Sequence, residues 1–163
     1  MLAAVLVGSR GRVYSFEPLP ENLIYLKEHL RLNGIGNVMV VEAAVADRCG
    51  FATFQEGDNR FGGRLCQHGD LRVKIISLDE LIAQCELPVP DYLKIDVEGA
   101  EFLVLKGAEA IIGEQHPTIF LSLHGNEVRE QCGNFLRGLN YHSEPTDGRQ
   151  LNEAGEILAY YEN

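Results

Sequence analysis

Tyr92-Leu93-Lys94-Ile95-Asp96-Val97-Glu98-Gly99-Ala100-Glu101 is a short apolar run that ends in a carboxylate, passes through a glycine and turns helical. In an open α/β sheet, ligands bind outside the carboxyl ends of the strands. The segment therefore delivers Asp96, with Glu98 and Glu101 behind it, to the rim where chemistry takes place. A second acid, Glu17, closes another apolar run, Val13-Tyr14-Ser15-Phe16, and is followed by Pro18. Two strand-end acids of this kind point to a nucleotide-type cofactor site.

Outward from that stretch, apolar runs alternate with amphipathic segments, the pattern of βαβ units around a largely parallel sheet. Residues 2 to 7 read as the end of a helix closed by Gly8, and 12 to 16 as a strand. Pro20-Glu21-Asn22 opens a helix with Leu23, Leu26 and Leu30 on one face, and Asn33-Gly34 stops it. Val38 to Val45 is nearly all apolar and reads as one strand covered on both faces. Phe51 to Phe54 and Val73 to Ile76 read as short strands around a polar loop, Asp58 to Asp70, an antiparallel excursion from the alternation. Ser77-Leu78-Asp79-Glu80 matches a capping box. A helix is expected from about Gly99 to Ile112, a buried strand over Thr118 to Leu123, and a helix carrying Val128, Cys132, Phe135, Leu136 and Leu139. Tyr141 to Glu144 and Ile157 to Tyr161 should close the sheet as an antiparallel pair.

The totals fit one domain with a real core: 163 residues, 45% apolar and 23% charged. With 14 basic and 24 acidic residues the net charge is −10, which argues against a nucleic-acid backbone or an anionic membrane as main partner. No apolar run approaches the roughly 20 residues that span a bilayer. Met1 to Val7 lacks the basic start of a signal peptide and reads as a helix fragment. Cys49, Cys66, Cys85 and Cys132 fit neither a zinc site nor a disulfide scaffold, so reduced thiols in a cytoplasmic protein are the expectation.

Glu17 has the position of an acid that hydrogen-bonds a cofactor's ribose hydroxyls, about 20 residues after a glycine-rich turn. A solvated strand-end acid is an equal alternative. Only sixteen residues precede Glu17, and Gly8-Ser9-Arg10-Gly11 leads into a strand where a helix is needed. The expectation is that the first strand and its glycine-rich loop are missing from this chain. Asp96 is the candidate general base or acceptor-orienting group. Glu98 and Glu101 have a blander reading as caps on the following helix. His124, at the end of Thr118 to Leu123, shares that rim and titrates near neutral pH, although a strand-end histidine is more often structural. Two carboxylates are weak evidence for a metal, and none is assigned. Lys94, inside an apolar strand, calls for an acidic partner such as Asp96. Arg60, Arg64 and His68 read as solvated loop residues.

These motifs resemble the FkbM-type S-adenosylmethionine-dependent methyltransferases. The matching residues are Gly11-Arg12-Val13-Tyr14-Ser15-Phe16-Glu17-Pro18 with Pro20, then Asn33, Glu42-Ala43-Ala44-Val45-Ala46-Asp47 and Gly50. The match continues through Ser77-Leu78-Asp79, Leu93 to Glu101, and Val104-Leu105-Gly107-Ala108. It runs from residue 2 to about 125, with only general layout beyond. The resemblance implies a Rossmann-like α/β methyltransferase fold, mostly parallel with an antiparallel C-terminal edge. It also implies methyl transfer from S-adenosylmethionine, usually to a hydroxyl oxygen of a sugar or small metabolite. Glu17 with Pro18 would hold the cofactor ribose, Ala43 and Ala44 would border the adenine, and Asp96 would lie beside both methyl donor and acceptor. Catalytic weight falls on Asp96, Glu98, Glu101 and His124. Family members carry a strand and glycine-rich loop before the helix that here begins at Met1.

Two other readings compete. A nicotinamide-dependent Rossmann protein also expects an acid after the second strand, but leaves the turn from Asp96 to Glu101 unaccounted for. A catalytically inactive domain retained as a binding or assembly module would form a homodimer to cover the gap of a missing strand.

Overall fold

The computed structural model describes residues 1–56, 63–66, 71–146 and 148–162, with 54–56 and 63–66 described by backbone alone. Arg60, His68 and most of the Asp58 to Asp70 loop lie outside the described residues, as do the side chains of Arg64 and Cys66. Cys49, Cys85 and Cys132 are free thiols.

Helix α1 (Leu2–Leu6) gives way at Gly8, whose φ of +68° suits a residue without a side chain. Strand β1 (Val13–Phe16) leads to helix α2 (Pro20–Leu32), which starts on proline and ends at Asn33-Gly34. Strand β2 (Val38–Val41) runs parallel to β1, Val13 opposite Val38 through Phe16 opposite Val41.

The apolar run 38–45 is not one strand. The Ala43 N–H turns back onto the Val41 carbonyl at 3.0 Å, and Ala43 is packed away with Ile76 and Leu81. Strand β3 (Ala44–Val45) then pairs parallel with β6 (Leu71–Ile76) in another sheet. Nor is β2 covered on both faces, since Met39 is 54% exposed. A single polar residue, Glu42, interrupts the run, and one residue sets up no alternation that would mark such a break. The expected antiparallel excursion is present: β4 (Gly50–Glu56), β5 (Gly63–Cys66) and β6 form a sheet in the order β3-β6-β4-β5. Strand β5 falls inside the stretch expected to be loop.

The third sheet holds β7 (Tyr92–Ile95), β8 (Thr118–Ser122), β9 (Tyr141–Pro145) and β10 (Glu156–Tyr161) in the order β7-β8-β10-β9. β7 and β8 are parallel, and β10 is antiparallel to both neighbours. Ile95, Ile119, Leu121, Ile157 and Ala159 of this sheet are buried in one cluster with Leu105, Ile112 and Leu136. The last three come from helices α4 (Glu101–Lys106), α5 (Glu109–Gln115) and α6 (Asn126–Gly138). Each of these isoleucine and leucine side chains is worth about 1.5–3 kcal/mol of apolar burial. Among the described residues, neither β1 nor β7 has a strand on its second side, and no helix is long and apolar enough to cross a membrane.

The single helix expected over 99–112 is two, α4 and α5, and residues thirty positions earlier break it. In a continuous helix the Gly107 carbonyl would take the Ile111 N–H. Instead it accepts from the Asp79 N–H at 2.9 Å and the Ser77 hydroxyl at 3.0 Å. The Asp79 carboxylate in turn takes the Ala110 and Ile111 N–H groups, each at 3.0 Å, supplying the cap that α5 lacks locally. Gly107 is required there, because a Cβ would sit 1.9 Å from the Ala46 carbonyl oxygen. The capping box before α3 (Leu78–Ala83) is half formed. Ser77 Oγ accepts the Glu80 N–H at 3.4 Å, while the Ser77 N–H goes to Cys49 Sγ at 3.4 Å.

Candidate active site

Asp96 follows the carboxyl end of β7 and His124 lies just beyond that of its parallel neighbour β8, so both stand at one rim of the sheet. After Asp96 the chain leaves the strand. Glu98 and Gly99 both take positive φ, +52° and +98°. A non-glycine residue in that region is strained, by about 1–2 kcal/mol. The turn brings Glu98 and Glu101 back toward the rim.

His124 is where the acids converge. Its Nδ1 lies 2.5 Å from Glu101 Oε1, and its Nε2 lies 3.8 Å from both Asp96 Oδ1 and Glu98 Oε2. Glu101 is fully buried, whereas the side chains of Asp96 and Glu98 are 52% and 61% exposed. Besides His124, Glu101 Oε1 accepts the Gly99 N–H at 3.1 Å; Oε2 has no partner among the described residues. A carboxylate on Nδ1 selects the tautomer that leaves the Nε2 lone pair free to take a proton.

Burial is the largest single influence on the His124 imidazolium and pushes its pKa down. The Glu101 hydrogen bond and the charges of Glu101, Glu98 and Asp96 together outweigh it, so the net shift is upward. On α6, burial above all, and then the Glu101 charge, push the Cys132 thiol up to about 12. Cys132 therefore stays a neutral thiol beside the buried acid.

Lys94 has the acidic partners expected of it, but it is half exposed rather than buried. Its Nζ donates to Ser122 Oγ at 2.7 Å and to Glu156 Oε1 at 3.4 Å, and lies 3.7 Å from Asp96 Oδ2. Ser122 and Glu156 were not singled out from the sequence. They become neighbours only through the β8–β10 register, which sets them directly opposite each other.

The cofactor-side candidates occupy the carboxyl ends of β1 and β2. Glu17 follows β1, its N–H donates to the Val41 carbonyl at 3.1 Å, and its Oε1 accepts the Leu19 N–H at 2.8 Å. The acid thus ties down the backbone just ahead of α2, with Oε2 unpartnered among the described residues. Pro18 follows directly. Ala43, buried, and Ala44, at the start of β3, sit just past the end of β2. Phe16, beside Glu17, packs against the core cluster that holds Ile95, the residue before Asp96.

A family model described as "Methyltransferase FkbM domain" matches residues 1–163. The chain belongs to that family. Among curated proteins, this FkbM domain is 31% identical over 106 residues to the hexuronic acid methyltransferase AglP of Haloferax volcanii, a match covering 64% of this chain and 44% of that protein. The chain thus spans less than half the length of this relative. Its fold is shared with the crystal structure of an FkbM methyltransferase from Methylobacillus flagellatus KT, with TM-score 0.66 and 21% identity, over 92% of this chain and 36% of that one. A precorrin-6y C5,15-methyltransferase from Geobacter metallireducens GS-15 matches with TM-score 0.54 and 16% identity, over 93% of this chain and 68% of that one. The Rossmann-like methyltransferase architecture follows from these likenesses.

Proposed function

We propose that this FkbM domain carries the acceptor site, and part of the cofactor site, of an S-adenosylmethionine-dependent O-methyltransferase acting on a hydroxyl of a sugar or small metabolite. The carrying observation is the Glu101–His124 pair, with Nε2 facing Asp96 and Glu98. When bound, S-adenosylmethionine supplies an electrophilic sulfonium methyl group. Glu17 suits its ribose: a backbone N–H fixes one carboxylate oxygen, and the other is available to accept a hydroxyl proton. His124 Nε2 removes the proton from the acceptor hydroxyl as the oxygen becomes a nucleophile. Glu101 holds the ring orientation and, with Asp96 and Glu98, stabilises the imidazolium that results. Asp96 and Glu98 accept hydrogen bonds from the acceptor and orient it, the larger part of such a displacement being positioning.

The two open edges, of β1 and of β7, support a further element of the proposal. The sheets β2-β1 and β7-β8-β10-β9 would become one sheet if a further strand paired with both open edges.

Calorimetry with S-adenosylmethionine and NAD tests the cofactor: heat with the former, weakened in Glu17→Ala, is expected, and heat with NAD alone overturns the reading. Methyl transfer then tests the base. Its rate should rise with pH through the His124 titration, and His124→Ala should lose about 10²–10⁴-fold in kcat. The likeness to a hexuronic acid methyltransferase supports a second reading, in which the acceptor atom is a carboxylate oxygen. A carboxylate needs no base, so the rate would then be flat with pH and insensitive to His124→Ala.

A further inference from the structure

Strands β1 and β2 begin at a groove of about 460 Å³ whose lining includes Ser9, Arg10, Arg12, Tyr14 and Asn37. The groove lies at the amino ends of the parallel pair. Glu17 follows the opposite end of β1, about 13 Å away at some 3.3 Å per residue. It is therefore separate from the rim that holds Glu17 and the Ala43 turn.

Three observations give this groove a chemical character. Its lining contains no acidic residue, in a chain whose net charge is −10. Arg10 and Arg12 are exposed and have no ion pair or hydrogen bond among the described residues. Other arginines do: Arg31 with Glu28, Arg48 with Asp47, Arg129 with the Ala154 carbonyl and Arg137 with Asn134. Finally, the loop that carries the two arginines is built rather than slack. Asn37 Nδ2 donates to the carbonyls of Ala4 at 2.9 Å, Gly8 at 3.1 Å and Gly11 at 3.4 Å, and the Asn37 carbonyl accepts the Val13 N–H at 2.9 Å. A Cβ on Gly11 would come within 2.5 Å of Val7 Cβ, so the backbone passes there as closely as it can.

The Asn37 contacts matter for charge as well as shape. Of the three carbonyl oxygens, that of Gly11 belongs to the lining, and its lone pairs, which would repel an anion, are engaged by the Asn37 amide. The residues that line the groove include two arginines, and Ser9 and Tyr14 with their hydroxyls. Guanidinium forks match the planar or tetrahedral oxygens of carboxylate and phosphoryl groups, and can bind them bidentately.

We infer that this groove is an anion-binding site, for the phosphoryl or carboxylate group of a ligand, at the end of the β1–β2 pair away from Glu17. Phosphoryl and carboxylate sources share the oxyanion chemistry and differ in charge and shape, so the test uses one probe of each kind.

Titrating inorganic phosphate, and separately citrate, into the ¹⁵N-labelled chain at constant ionic strength reads the site directly. Saturable shifts centred on the Gly11, Arg12 and Asn37 amides are expected, with at least a tenfold loss of affinity in Arg10→Ala/Arg12→Ala. Both arginines are exposed, so the double variant keeps its fold, which the unchanged dispersion of the remaining amides verifies. Phosphate saturating before citrate assigns the site to phosphoryl ligands, and the reverse order to carboxylates. Shifts that are non-saturable, spread over the surface or identical in the double variant overturn the inference. None of these results depends on S-adenosylmethionine or on methyl transfer, so the proposed activity can fail while the groove stands, and the reverse.

Discussion

Replacing His124 with alanine isolates the contact on which the candidate site rests. Glu101 is fully buried, and Oε1 is held by the imidazole and by one backbone N–H while Oε2 has no partner among the described residues. Without the ring, a carboxylate enclosed by protein retains a single donor. Removing one partner of a buried pair costs about 3–5 kcal/mol. His124 is itself 36% exposed, so water enters where the ring stood. A destabilisation of about 2–3 kcal/mol is therefore expected at neutral pH. The cause is the stranded charge, so Glu101→Gln in the His124→Ala background should recover more than half of that loss. Urea denaturation of the four proteins of the cycle measures both numbers, provided the slope with denaturant is unchanged. If His124→Ala stays within about 0.5 kcal/mol of the parent, the range of an ordinary surface change, the reasoning fails. It fails equally if the glutamine gives no recovery.

Stability should also carry a signature of the raised His124 pKa. A histidine whose folded pKa exceeds its unfolded one contributes fully below the unfolded value, about 6.5. That contribution disappears as pH rises through the higher folded value. Denaturation midpoints should accordingly fall across this window in the parent and much less in His124→Gln; equal slopes would remove the imidazolium from the account. Gly107→Ala should cost about 2–4 kcal/mol, because its methyl would overlap the Ala46 carbonyl oxygen and neither backbone can withdraw cheaply. For a domain of this size that is roughly 5–15 °C in Tm, and a thermal melt unchanged within two degrees would show that the close approach is relaxed at little cost.

Much of the candidate site was legible from the sequence because it is local. An apolar run ending in Asp96, with a glycine three residues on, places an acid at a strand tip whatever packs around it. Glu17 and His124 follow by the same logic, each at the end of its own run. The hydrophobic periodicities of α2 and α6, and the closing pair of β9 and β10, are local in the same sense.

Contacts between distant residues decided the rest. The break between α4 and α5 is set by Asp79 and Ser77, thirty residues upstream, which take the hydrogen bonds a continuous helix would use. The split of 38–45 into β2 and β3 depends on β6 offering a partner strand in a different sheet. Glu101 reads equally well as a helix cap or as a reactive acid; only burial beside His124 separates the two, and burial belongs to the packed molecule. Ser122 and Glu156 meet Lys94 solely through strand register. Spacing along the chain tells which residues reach the rim of a sheet, but which of them touch is settled by hydrogen bonds and packing formed across the fold.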